Sequence, residues 1–206
     1  MFEVARNKLS VRMKRIAPLV AVRRFVGREE GSSAVEFGLI LLPFVAMMFA
    51  IMETALVFFA QQTLETAVAD SARLIMTGQA QNGAWQPADF KRKVCDRIYG
   101  LFTCDSSAFV SSSTSPNVYV NVQTYSTFGG ITYTPPLDNQ GRIATGNFGY
   151  NHGGPGDIVV VQLFYQWPIF VSLMNLGGLS NMAAHSRLLV ATAAFRNEPY
   201  NGGAWP

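Results

Sequence analysis

Residues 31–60 read GSSAVEFGLILLPFVAMMFAIMETALVFFA, and the fold is decided here. From Phe37 to Ala60 there are 24 residues with one charge, Glu53. A helix of that length, at about 1.5 Å rise per residue, reaches roughly 36 Å, enough to cross a bilayer core of about 30 Å. The run is longer than the apolar core of a signal peptide, and no small-residue cleavage site follows it promptly. It predicts a retained transmembrane helix. A carboxylate at the mouth of such a span is costly, so Glu36 needs a reason. Ser33-Ala34-Val35-Glu36 fits a capping box, with Ser33 at the N-cap and Glu36 reaching back to it.

Outward from this stretch the charge is lopsided. The chain has 206 residues and a net charge of +3. Residues 1–31 carry eight Lys or Arg against three Glu, and residues 32–206 carry eight against ten Asp or Glu. The basic excess sits in the tail, which argues against a nucleic-acid partner and fits the cytoplasmic flank of a membrane span. The predicted organisation is a cytoplasmic basic leader over 1–31, a transmembrane helix over 32–60 in the lipid bilayer, and an α+β domain over 61–206 outside. In a bacterium that is a single-pass protein of the inner membrane with a periplasmic domain. At 49% hydrophobic and 14% charged residues, the chain is greasier than a typical soluble domain.

Beyond the span the helical period continues. Leu64, Ala67, Val68, Ser71, Ala72 and Ile75 share one face, and Gly78 is a natural stop. The helix is expected over about 33–77. A short second helix is expected over about 87–101, with Pro87 in its first turn and Phe90, Val94, Ile98 and Leu101 on its apolar face. Lys91, Arg92, Lys93 and Arg97 fall mostly on the other side and read as a solvated basic face. Asn117–Tyr125 alternates, with Val118, Val120 and Val122 opposite Tyr119, Asn121 and Gln123, as a half-buried strand does. Residues 129–156 read as a long Gly- and Asn-rich loop. Asp157–Trp167 is apolar on both faces and predicts a central strand. Residues 172–184 form another loop and His185–Phe195 a further strand. Two helices followed by strands without intervening helices predict α+β with an antiparallel meander of three to four strands.

Enzyme machinery is sparse. The spacings of a zinc site, a nucleophile elbow, a phosphate-binding loop and a zinc-protease helix are all missing. His152 and His185 are the two histidines, and the glycine-rich run 146–156 precedes a strand rather than a helix. No cofactor is expected. Cys95 and Cys104 form a disulfide candidate suited to an oxidising compartment, or else two buried thiols. Glu53 lies inside the span, either tolerated near the outer interface or in contact with another helix. Ala46 and Ala50 would allow such close approach.

Gly31 followed by Glu36 and Phe37 matches the G-x-x-x-x-E-[YF] processing site of the Tad branch of type IV pilins. The flanks, SSAVEFGLILLPFVAMMFAIMETALVFFAQQTLETAVADSARLIMTGQ, and the ending HSRLLVATAAFRNEPY resemble TadE-like minor pilins. The resemblance implies a non-enzymatic protein of Tad pilus assembly, used for adhesion. It implies a prepilin peptidase that cuts between Gly31 and Ser32. Glu36 would then be the fifth residue of the mature chain, where its carboxylate would neutralise a neighbour's terminal amine. Glu36, Phe37 and Glu53 are the expected assembly residues. The implied partners are other Tad pilins and minor pilins, with an inner-membrane assembly platform. The long leader and large outer domain depart from the small major pilins and favour a minor one. The rival reading is a membrane-anchored periplasmic enzyme or binding protein. A secretion-system pseudopilin is a nearer relative.

Overall fold

The fold is that of a computed structural model describing residues 32–98, 100–105, 117–132, 136–169, 180–182 and 185–200. The expected leader, the cut-site residue Gly31, the Ser-rich turn at 111–115 and most of the expected loop 172–184 lie outside the described residues. In chain order the helices are α1 (Ser32–Met76), α2 (Gln79–Asn82) and α3 (Pro87–Arg97). The strands are β1 (Val118–Tyr125), β2 (Ile158–Pro168) and β3 (Ser186–Arg196), with a 3-10 turn at Phe128–Gly130 after β1. The sheet has the order β1-β2-β3 with both pairings antiparallel. This is the expected α+β meander, with three strands and the apolar β2 in the middle.

The chain divides into two compact units, residues 1–48 and 49–206. The described part of the first is helix alone. Pro43 sits inside it. Proline removes a backbone N–H, a defect that membrane helices tolerate. The helix already includes Ser32 and Ser33, so Ser33 is not at the cap position expected of it.

In the second unit α1 buries one stripe. The expected Leu64, Ala67, Val68, Ser71, Ala72 and Ile75 are all buried. The stripe starts earlier than the sequence suggested, with Glu53, Val57 and Ala60 on the same face. Gly78 ends the helix in the left-handed region at φ 77, and the Tyr200 ring fills the space that a side chain at 78 would need. The N–H of Glu198 donates to the Met76 carbonyl at 2.9 Å. The segment after β3 thus satisfies a helix-end carbonyl that would otherwise need water.

α3 stops at Arg97 rather than near 101. Asp89 accepts the backbone N–H of Gln86 at 3.0 Å at its start. At its other end Cys95 and Cys104 are joined in a disulfide with Cα atoms 5.5 Å apart. A helix continued over those nine residues would hold them about 13 Å apart, too far for the bond. The chain turns back instead, and Leu101 and Phe102 pack on the core from a non-helical segment. Closing so short a loop contributes on the order of 2–3 kcal/mol.

One sheet face packs with α1 and α3. Val118, Val120, Val122, Val159, Val161, Leu163, Leu189 and Ala191 join Leu64, Ile75, Phe90 and Val94 in one core. On β1 the other face was expected to be the solvent side of a half-buried strand. It is covered. Tyr119 and Phe164 are buried with Met182 and Leu188, and Leu137, Ile143 and Phe148 from the long loop pack over them. The loop is pinned by backbone bonds between Val122 and both Gly149 (2.8 Å) and Asn151 (2.9 Å).

Candidate functional site

Among the described residues, sixteen large hydrophobic side chains are exposed, and fifteen lie on α1 between Val35 and Phe59. In the first unit Phe37, Leu39, Ile40, Leu42 and Phe44 are each more than half exposed, and so all sides of the helix present apolar surface. In the second unit Ile51, Leu56, Phe58 and Phe59 do the same on the faces turned away from the buried stripe. Soluble proteins do not leave such a patch in water. α1 is long and apolar enough to cross a membrane, and none of its most apolar window is buried. By length and composition it is a membrane anchor.

Within this apolar surface Glu36 is the sole charged residue from Ser32 to Met52. Glu36 is exposed and Phe37 beside it is 65% exposed. Ser32 is the first described residue and already helical. Glu53 is placed differently. At 5% exposure it is buried within its own unit, at the head of the stripe that continues through Val57 and Ala60. Its spacing from Val57 puts it on the core face, and that leaves little of it for a neighbouring helix. Glu36, in contrast, keeps an exposed position.

The basic face of α3 also needs correction. Arg92 and Lys93 are exposed, with Arg92 2.7 Å from Asp89. Lys91 is fully buried. It follows the core residue Phe90, and a long aliphatic stem can be buried much as an apolar side chain is. Burial lowers its pKa from the ordinary 10.5, and the nearby Asp105 works against that shift. The unfolded chain keeps its proton up to 10.5, while the folded chain gives it up earlier. Between those two values the unfolded state binds more protons, so stability rises with pH. Below the folded value the cost of the buried charge is complete and constant. Lys91→Met removes it. Urea unfolding at pH 7.5 and 9.5 should show the wild-type chain gaining stability relative to the variant at the higher pH. Parallel behaviour of the two would rule this out.

His152 is half-buried, with its ring edge-on to Tyr150 at 5.6 Å. Its carbonyl accepts from Gln81 (3.0 Å) and Asn197 (2.9 Å). It is a structural joint of the loop rather than the solvated residue expected. His185 is exposed, in a turn with φ 52. Among the described residues no group of three His, Cys, Asp or Glu is placed to hold a metal ion.

The sequence reading missed a set of side-chain amides. Asn121 and Gln123 looked like the solvent side of a half-buried strand. Pairing in register sets Asn121 opposite Gln162, and the two are hydrogen-bonded at 3.0 Å. Only the register brings them together, and the strands are 41 positions apart, so no local pattern signals it.

A family model described as TadE-like protein matches residues 31–73. That range begins at Gly31, contains Glu36 and Phe37, and ends on the helical stripe of α1. No curated protein matches the chain. No solved structure matches it.

Proposed function

Taking the TadE-like match over residues 31–73 as premise, we propose that the chain is a TadE-like minor pilin that supports biogenesis of a Tad pilus used in adhesion. One observation carries the reading. A single carboxylate, Glu36, stands on an otherwise uncharged and exposed helix start, five positions after Gly31. In this proposal a prepilin peptidase cuts after Gly31 on the cytoplasmic side, where the eight basic residues of the leader hold that end. Ser32 becomes the new N-terminus. Its ammonium and the Glu36 carboxylate of a neighbouring subunit are each expensive in an apolar bundle and tolerable together. Such pairing fixes the axial register between subunits, including other Tad pilins and minor pilins, as they are handled by the inner-membrane assembly platform.

The residues from 61 onward form the periplasmic body. The Cys95–Cys104 disulfide suits that oxidising compartment. The sheet and its two cores supply a folded head.

The test is the mass of the chain taken from membranes of cells with an active prepilin peptidase. The expected species begins at Ser32. Recovery of the chain with residues 1–31 still attached would defeat the proposal.

A further inference from the structure

The sheet face turned away from the helices carries a cleft of about 320 Å³, within the size range of small-ligand sites. Its wall is a chain of amides whose orientation is fixed by donors that cannot be reversed. The backbone N–H of Gly149 donates to Asn121 Oδ1 at 3.0 Å. Asn121 must then turn its Nδ2 outward, and it donates to Gln162 Oε1 at 3.0 Å. Gln162, whose side chain lines the cleft, thus has its Oε1 occupied, while its Nε2 makes no hydrogen bond to another described residue. On the other side Gln123 donates to the Asn147 carbonyl at 3.0 Å and accepts the Tyr125 hydroxyl at 3.2 Å. The Tyr125 oxygen keeps its acceptor capacity. The apolar part of the lining includes Leu137 and Phe148, the latter stacked on Phe164 with ring centres 5.2 Å apart.

The lining excludes most ligand classes. Among its described residues no side chain is charged, so an ionic ligand would enter without a counter-charge. A purely apolar ligand would strip water from the Gln162 amide and offer no hydrogen bond in return. An uncharged ligand with several hydroxyls satisfies both parts, because its oxygens meet the amide N–H groups and its C–H face lies on the Phe148 ring. The amides are held by one another rather than by solvent, so little ordering is needed on binding.

We propose that this cleft binds one unit of a neutral carbohydrate. The reading does not depend on cleavage at Gly31, and the two fail separately. Neutral sugars reach an extracytoplasmic domain from the cell-wall glycan or from polysaccharide outside the cell, and the test has an arm for each. The full chain, purified in a detergent without a sugar head group, is applied to immobilised neutral oligosaccharides, acidic oligosaccharides and cell-wall glycan fragments. Retention on one or more neutral sugars is expected, with weaker retention on acidic ones. Retention on wall fragments alone identifies the first source, and retention on the other neutral sugars alone identifies the second. Gln162→Glu puts a carboxylate into the cleft at nearly constant shape and should weaken binding at least tenfold while thermal unfolding is unchanged. If Gln162→Glu lowers the unfolding temperature, Tyr125→Phe, which removes the hydroxyl on the half-buried wall, replaces it and should weaken binding at least threefold. No retention on any neutral sugar would overturn the proposal. So would equal or stronger retention on acidic sugars, or undiminished binding by a folded variant.

Discussion

Glu36→Gln should abolish pilus formation and leave the unfolding of the unit 49–206 within about 0.5 kcal/mol of wild type. Glutamine keeps the size and helix preference of glutamate and serves equally in a capping box. If closing the helix start were the whole role of Glu36, the variant would assemble. If the carboxylate meets a neighbour's ammonium, the variant leaves that ammonium unpaired in apolar surroundings, at a cost of several kcal/mol per subunit. Repeated at every contact the chain makes, such a cost is not absorbed by side-chain adjustment. The head should be indifferent, because Glu36 is exposed and absent from both buried clusters. Sheared pili counted by immunoblot and electron microscopy, beside thermal unfolding of the purified variant, separate the two roles. Wild-type piliation in Glu36→Gln would show that assembly does not need the carboxylate. Glu36→Asp keeps the charge on a stem one methylene shorter and should restore part of the assembly.

The contrast between Glu36 and Glu53 shows where the sequence was legible. Both are acidic residues in an apolar helix, and hydropathy alone treats them alike. The long helix, its outer stripe and the central place of β2 were readable because each rests on local periodicity. The stripe was read only from Leu64 onward, while the folded unit claims helix positions back to Val57 and Glu53. Periodicity inside a uniformly apolar run is invisible, since every position there is apolar. Lys91 was misjudged for a related reason. A charged residue beside Phe90 is assigned to water by pattern, yet its stem packs like a hydrophobic side chain. Tyr119, Asn121 and Gln162 were beyond reach because what covers that face is a glycine-rich loop with no period of its own. Its few apolar residues, Leu137, Ile143 and Phe148, are scattered and gain meaning only once the strand register is known.

Leu64→Ala should cost the folded unit about 3 kcal/mol, and Leu56→Ala, two helical turns earlier, should cost it almost nothing. Leu64 is completely buried and Leu56 is 52% exposed. Truncating a buried leucine loses its transfer free energy and leaves a cavity, for a measured range of roughly 3–5 kcal/mol. The lower end is expected here because small neighbours on the stripe, Ala60, Ala67 and Val68, let the site close in part. Leu56 meets detergent or lipid in the folded and unfolded chain alike, so its truncation changes little. Trp85 and Trp167 pack in or against the same core, and their fluorescence during chemical unfolding in detergent reads both variants. Equal losses would mean that α1 is held by its whole circumference rather than by one stripe. A larger loss for Leu56→Ala would mean that the sheet packs on the opposite side of the helix. The expected order makes α1 one helix with two solvents, apolar surroundings on every side near Glu36 and a protein core along one face from Glu53 onward.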